Sequence, residues 1–218
     1  MILVTFALPA EGEPFVRRLR HRVRRGSTLR GELHGQPVGV VYVGIGLKQR
    51  GVLEHCLEQW KPRLVICSGF AGSLRPLVRP GDFLMARNLS NVEFPQQYFN
   101  HADAVGELLN VSKVASAATK AELAANGSYL AIDMESAGVS RICAAHDAPV
   151  LVARMVSDAV DEEIPGLFLG RTPHYPGEMV EVARFIIRML SLRPRLADRL
   201  SDLIRQFAFA ANQGQPER

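Results

Sequence analysis

Two stretches of the chain are apolar at nearly every position rather than at alternating ones. They are RLVICSG at residues 63–69 and PVLVARMVSD at residues 149–158. A strand that is apolar without alternation is buried on both faces, which is typical of the inner strands of an α/β sheet. The chain of 218 residues is therefore predicted to fold around a central sheet that helices cover on both sides.

Other strand and helix patterns alternate with these two. Strands are predicted at residues 2–7, 38–44, 80–86, 111–117 and 129–134, and helices at residues 11–23, 49–60, 135–146, 178–190 and 196–211. From Arg87 to Asn110 the signals favour a loop with one helical turn. This order of strands and helices predicts an α/β fold. We expect a single three-layer α/β/α domain with a central mixed sheet over residues 1–211, followed by a polar tail at 212–218.

The composition is typical of a globular protein, with 47% hydrophobic and 22% charged residues. No apolar run approaches the roughly 18–20 residues that span a bilayer. The N-terminus lacks a basic segment, and Glu11 and Glu13 follow soon after the first apolar run, so no signal peptide is predicted. Three separate cysteines without a CxxC pair indicate reduced core residues, and we expect a cytoplasmic protein.

The basic residues are concentrated in two arginine-rich segments, at residues 17–30 and 193–205, although the net charge is only +4. Charge runs of this kind are most often solvated helix faces. No aromatic residues are interleaved with the arginines, so we do not predict a nucleic-acid partner. Peripheral contact with an anionic membrane through these segments stays open.

Several motifs that suggest cofactor sites lack a residue that the chemistry needs. Gly46 and Gly51 have the spacing of a P-loop, but Val52 and Leu53 follow where lysine and a hydroxyl residue are required. No GxGxxG follows the first strand, and CSGFAGS is not a GxSxG elbow. The histidines are scattered singly. We therefore predict neither a cofactor nor a metal site.

Acidic side chains follow three of the predicted strands. Glu11 follows the first strand, Asp133 and Glu135 flank Met134, and Asp158 ends VARMVSD. Each acid alone could be a helix cap or an N-terminal dipole partner. Since the carboxyl ends of neighbouring strands meet at one edge of a sheet, together they predict one polar site there. Glycine-rich turns at 43–46 and 68–73 would let a flat ligand approach the backbone.

The motifs ALPAE, VGIG, SGFAGSL, VRPGD, AIDMES and ARMVSD occur in this order from Ala7 to Asp158. In this order they resemble the nucleoside phosphorylase and nucleosidase superfamily, and the DMES and RMVSD pair is the specific part. Within the superfamily, these motifs are most similar to those of the methylthioadenosine/S-adenosylhomocysteine nucleosidases. Residues 119–136 and 190–205 also resemble the hopanoid-associated branch. The resemblance implies a phosphorylase/hydrolase-like fold and a homodimer.

The resemblance also implies the reaction, which is cleavage of the N-glycosidic bond of a purine nucleoside, expected to be a 5′-substituted adenine nucleoside. Asp158 would be the general acid towards purine N7, and Glu11 would position or deprotonate water. Glu135 would hold the ribose hydroxyls, Met134 would pack on the ribose, and Ile45 would line the 5′-pocket. The complete set of substrate-binding candidates is Ile45, Gly46, Gly69, Phe70, Ala71, Asp133, Met134, Glu135 and Ser157.

The chain departs from the superfamily pattern at two places. Asp133 stands where the family has glutamate, and Phe70 stands where nucleosidases often have serine. Phosphorylases of the superfamily bring Arg and Ser into the glycine turn, where this chain has Cys67 and Phe70, so hydrolysis is the first prediction. Phosphorolysis, adenine removal from an adenosylated hopanoid lipid, and a non-catalytic nucleoside-binding module stay open. Substrate choice is expected to lie in residues 88–110.

Overall fold

The computed structural model describes residues 1–92, 102–166 and 176–213, with side chains to residue 207 in the last helix. Its helices are α1 (Pro9–Val16), α2 (Arg50–Trp60), α3 (Ala117–Ala125), α4 (Ser136–Ala145) and α5 (Pro176–Gln213). Its strands are β1 (Ile2–Phe6), β2 (Arg20–Arg25), β3 (Thr28–Leu33), β4 (Gln36–Tyr42), β5 (Leu64–Ser73), β6 (Phe83–Ala86), β7 (Ala104–Gly106), β8 (Leu108–Asn110), β9 (Ala131–Asp133) and β10 (Val150–Asp158).

The strands form one mixed sheet in the order β2-β3-β4-β1-β5-β10-β6-β7, and β9 pairs with both β5 and β8. The centre is parallel, with β1 between β4 and β5 and with β10 on the other side of β5. All nine positions of β10 are buried. Both continuous apolar runs are therefore inner strands, as predicted, and the structure places them next to each other.

Helices cover both faces of the sheet. Ile2, Val4 and Phe6 of β1 pack in one core with side chains of α1 and α5. Leu3 of the same strand packs in a second core with side chains of α2 and α4. Alternate residues of a strand point to opposite faces, so the two cores lie on opposite sides of one sheet. The predicted three-layer α/β/α architecture is confirmed.

The helix predicted over residues 11–23 is wrong beyond Val16. Helix α1 ends there, and Arg20–Arg25 forms β2, which pairs antiparallel with β3 at the edge of the sheet. All six side chains of β2 are exposed, so the segment carries no apolar alternation that would indicate a strand. Charged side chains on an edge strand also discourage pairing with other molecules.

The strand predicted at residues 111–117 is also wrong. Ser116 is instead the N-cap of α3, and its hydroxyl accepts a hydrogen bond from the Thr119 backbone N–H at 3.2 Å. The strands β7 and β8 lie where a loop was predicted, and residues 93–101 of that segment lie outside the described residues.

The two C-terminal helices of the prediction form one helix, α5, which continues through Pro194 and reaches Gln213. The first two residues of the predicted polar tail are therefore helical, and residues 214–218 lie outside the described part. Among the described residues, no helix is both long and apolar enough to cross a bilayer. The cysteines Cys56, Cys67 and Cys143 are free and buried, as predicted.

We expect Leu196→Ala to lower the free energy of unfolding by about 2–5 kcal/mol, because Leu196 is fully buried where α5 packs on the sheet. Leu190→Ala is the matched control on the same helix, since the Leu190 side chain is 51% exposed, and its effect should stay within about 0.5 kcal/mol. Urea unfolding measures both. Equal losses would contradict the observed packing of α5.

Candidate active site

A β-bulge near the end of β10 places two consecutive polar side chains on the same side of the sheet. Val156 pairs with Ala71 and Asp158 pairs with Gly72, so Ser157 is the extra residue. In a regular strand the side chains of Ser157 and Asp158 would point to opposite faces. The bulge re-aims them, and both line one cavity.

The Asp158 carboxyl group is buried and fixed at both oxygens. The Ser157 hydroxyl donates to Oδ1 at 2.5 Å, and the Lys120 ammonium group donates to Oδ2 at 2.9 Å. Gly72 gives the carboxyl group its space, since a Cβ atom at this position would lie 2.8 Å from Oδ2. The acid is therefore held by its neighbour in sequence and by α3.

Arg154 has the largest fully buried side chain among the described residues, and it links three elements of the site. Its Nη2 lies 2.5 Å from Asp133 Oδ2 at the end of β9. Its Nη1 donates to the Ser68 carbonyl of β5 at 2.9 Å, and its Nε donates to the Ser136 hydroxyl of α4 at 3.0 Å. Burial acts to lower the pKa of Arg154, but the negative charge of Asp133 and of the other nearby acids together raises it, so the guanidinium stays charged.

This network holds the Asp133 carboxylate mainly through Oδ2. Its Oδ2 also accepts from the Ser136 backbone N–H at 3.1 Å and from the Ser136 hydroxyl at 2.5 Å. Asp133 therefore fixes the start of α4. Its position in the cavity wall was predicted from the sequence, but its bond to Arg154 was not.

Glu11 lies in the first turn of α1, where its Oε2 accepts from the Ala7 backbone N–H at 3.1 Å and from that of Leu8 at 3.4 Å. Burial raises the pKa of Glu11 from its ordinary value of 4.5 to about 7, and the nearby Arg154 charge opposes part of the rise. A carboxyl group with a pKa near neutrality can exchange protons under ordinary conditions, which suits a general base.

Glu135 stands at the N-terminus of α4, and its Oε1 accepts from the Gly46 backbone N–H at 2.9 Å. Burial raises the pKa of Glu135, while the charge of Arg154 and the Gly46 hydrogen bond lower it. Where a turn was predicted at residues 43–46, a short 3₁₀ helix forms at Ile45–Leu47, and its Gly46 N–H is the donor to this carboxylate.

These side chains surround one cavity of about 280 Å³, close to the lower end of the roughly 300–1,000 Å³ that is usual for small-molecule sites. Its wall includes all of the predicted site residues except Gly46 and Gly69, and the complete lining is Ala7, Leu8, Glu11, Ile45, Phe70, Ala71, Gly72, Val111, Lys113, Val114, Ala115, Ile132, Asp133, Met134, Glu135, Ser157, Asp158, Ile164 and Phe185. The three separated acids Glu11, Glu135 and Asp158 thus face a common space.

Gly69 and Gly46 serve the site from behind the wall. The segment at residues 68–73 is not the turn that was predicted, because it continues β5 alongside β10. Gly69 has a φ of +142°, and a side chain there would collide with Arg154 Nη1. This glycine lets the arginine and Glu11 approach β5.

Two charged residues of the site were missed in the sequence. Arg154 interrupts an otherwise apolar strand, and a cation in that position needs a buried partner, so this signal was available. Lys120 lies on α3, for which no helix was predicted, and nothing in its surroundings in the sequence separates it from a surface lysine.

Glu11→Gln should change how stability depends on pH. The raised pKa means that the folded chain holds a proton that the unfolded chain has released, so stability falls as the pH rises from about 4.5 to about 7. Each pKa unit corresponds to about 1.4 kcal/mol, so the variant should be more stable than the parent at pH 8 by on the order of 3 kcal/mol. At pH 4 the two should differ little.

Chemical denaturation at both pH values measures this difference. Glu58→Gln, on the exposed face of α2, is the control and should leave the pH dependence unchanged. A Glu11→Gln protein that follows the parent at both pH values would show that Glu11 keeps an ordinary pKa.

Solved structures of similar fold cover 94% of this chain. They include the 5′-methylthioadenosine/S-adenosylhomocysteine nucleosidase of Streptococcus pneumoniae with the transition-state inhibitor MT-ImmA (TM-score 0.71, 17% identity, 98% of that chain covered). The Neisseria meningitidis enzyme of the same name, in complex with methylthio-immucillin-A, has a TM-score of 0.70 at 19% identity and 98% coverage. The futalosine hydrolase of Helicobacter pylori has a TM-score of 0.70 at 18% identity and 97% coverage.

At these identities the structural likeness establishes the fold. The sequence itself carries a further match, because the profile of the phosphorylase superfamily aligns with residues 2–127. Since this match spans more than half of the 218 residues, the chain belongs to the phosphorylase superfamily.

Proposed function

We propose that this protein hydrolyses the N-glycosidic bond of a purine nucleoside, and that the preferred substrate is an adenine nucleoside with an apolar 5′-group. The observation that carries the proposal is the convergence of Glu11, Glu135 and Asp158 on one apolar cavity, with the pKa of Glu11 raised to about 7. Cleavage of this bond needs an acid for the departing base, a base for the incoming water, and negative charge near the cationic sugar.

Asp158 is the general acid in this proposal. In its protonated form it donates to purine N7, and the electron pair of the C1′–N9 bond passes into the purine ring. The Ser157 hydroxyl, 2.5 Å from Oδ1, fixes the rotation of the carboxyl group. The bulge in β10 serves this role because it turns both side chains towards the same cavity.

Glu11 is the general base, and it takes a proton from the water that attacks C1′. A base with a pKa near the working pH combines a sufficient ionised fraction with adequate basicity. Glu135 accepts hydrogen bonds from the ribose hydroxyls, and its negative charge favours the oxocarbenium-like sugar. Asp133 positions the site from within the wall, since its Oδ2 is already bound by Arg154 and Ser136.

The apolar part of the cavity supports a base and a 5′-group of low polarity. Phe70 and Met134 offer flat or flexible surfaces to a purine and a ribose. Leu8, Ile45 and Val114 also line the wall and are 40%, 45% and 41% exposed. Exposed apolar residues at the wall suit a substituent that extends outwards.

This exposed apolar wall favours a second candidate substrate, an adenosylated hopanoid lipid. Its 5′-group would be too large for the cavity and would have to leave through such an opening. A base-release assay with adenine nucleosides of increasing 5′-chain length ranks the two candidates, because only the lipid substrate requires that long apolar chains be tolerated.

The charges of the described cavity wall favour water over phosphate as the nucleophile. Glu11, Asp133, Glu135 and Asp158 line it together with a single basic residue, Lys113, which is exposed. Arg154 is buried and already bound to Asp133, Ser136 and Ser68. A phosphate dianion would meet mainly carboxylates here, whereas phosphate sites usually present arginines and free N–H donors.

Asp158→Asn should lower the rate of adenine release by at least about 10²-fold, because an amide cannot deliver a proton to the leaving base. Release of free adenine from methylthioadenosine, followed by chromatography, measures the effect. A rate that stays close to the parent rate would remove Asp158 from the mechanism.

Asp161→Asn is the matched control, since Asp161 carries the same chemical change three residues away on an exposed side chain. It should leave the rate within about twofold of the parent rate. A parent protein that binds adenine nucleosides but releases no base would favour the non-catalytic binding module.

Adenine release should not depend on phosphate. We expect the same rate in phosphate-free buffer and in added phosphate. In both buffers the sugar product should carry no phosphate, since water is the nucleophile. Chromatography of the sugar product decides the question. Release that requires phosphate and yields a ribose 1-phosphate would show phosphorolysis.

A further inference from the structure

Lys120 is a lysine with no exposed surface, which is rare in folded proteins. Its ammonium group has three N–H donors, and three acceptors surround it. They are Asp158 Oδ2 at 2.9 Å, the Ala159 carbonyl at 2.5 Å and the Glu162 carbonyl at 2.7 Å. The group is therefore saturated, and Asp158 is the acceptor that carries a charge.

The position of Lys120 separates it from the substrate. Asp158 lines the cavity and Lys120 does not, so the ammonium group contacts the carboxyl group from behind the wall. Lys120 also comes from a different element, because α3 begins at the Ser116 cap whereas Asp158 ends β10. Its contact with the cavity wall is therefore the Asp158 carboxyl group.

We propose that Lys120 is a positioning residue for the acid step, and that its ammonium group stabilises the negative charge that forms on Asp158 as the proton leaves. The inference rests on the proposed nucleoside cleavage. It assigns a specific role to a cation that would otherwise be explained by folding alone.

The Asp158 carboxyl proton moves to purine N7, the C1′–N9 bond breaks, and its electrons enter the ring. Asp158 becomes a carboxylate 2.9 Å from the ammonium nitrogen. Water adds to C1′ and gives its proton to Glu11. Glu11 has then gained one proton and Asp158 has lost one, and exchange with solvent restores both.

The need for a charge distinguishes this role from a purely structural one, in which Lys120 would only bind α3 to the segment that follows β10. Two of the three acceptors are backbone carbonyls, which a neutral donor could satisfy equally well. A buried ammonium ion is costly unless an opposite charge accompanies it. In the described surroundings that charge belongs to the ionised form of Asp158, which is the form that the acid step produces.

The test compares two leaving groups with Lys120→Met. Adenine is a poor leaving group and needs the acid, whereas 4-nitrophenolate from 4-nitrophenyl β-D-ribofuranoside departs without protonation. We expect kcat for the adenine nucleoside to fall by about 10–10²-fold with KM within about threefold. Turnover of the nitrophenyl riboside should stay within about threefold of the parent rate.

Each outcome decides a separate question. A parent protein that cleaves neither substrate contradicts the proposed function itself. If the parent cleaves both and the variant loses both in proportion, Lys120 is only structural, and the inference is overturned. Full retention of adenine release by the variant overturns it as well.

A double variant tests the proposal if the Lys120→Met protein does not fold. Lys120→Met combined with Asp158→Asn removes both buried charges, so no unpaired ion remains. Because Lys120 acts through Asp158, the double variant should release adenine within about threefold of Asp158→Asn alone. A further loss of tenfold or more would show that Lys120 acts by another route.

Discussion

The buried ion pair of Arg154 and Asp133 is the interaction on which the geometry of the site depends. It joins β10 to the end of β9, and the same guanidinium reaches β5 through Ser68 and α4 through Ser136. Of these elements, β5, β9 and β10 contribute side chains to the cavity, and Glu135 of the wall stands directly before α4. Removing either charge would leave the other unpaired in the interior, so the pair fixes the elements in one arrangement.

That arrangement gives the carboxyl groups different surroundings, as acid–base catalysis requires. Glu11 meets backbone N–H groups and apolar surface, and burial raises its pKa to about 7. Asp158 meets a hydroxyl group and an ammonium group instead. Similar side chains can therefore take opposite roles in proton transfer, because their nearest neighbours differ.

Much of this was predictable from the sequence, and the remainder has physical reasons. Continuous apolar runs identify β5 and β10, and the acids that follow strands identify one wall of the site. The hairpin of β2 and β3 was not predicted, because all six side chains of β2 are exposed and give no apolar alternation. The role of Lys120 was not predicted, because its burial depends on the segment after β10, which lies 39 residues away at Ala159.

The two buried cations follow one pattern, which the sequence could not reveal. Arg154 lies behind Asp133, and Lys120 lies behind Asp158, so each ion contacts a carboxyl group of the wall from the side away from the cavity. The cavity therefore presents negative charge to its ligand while the wall as a whole is closer to neutral. A cationic sugar is favoured by such a surface, and the cations behind it reduce the repulsion among the acids that would otherwise oppose folding.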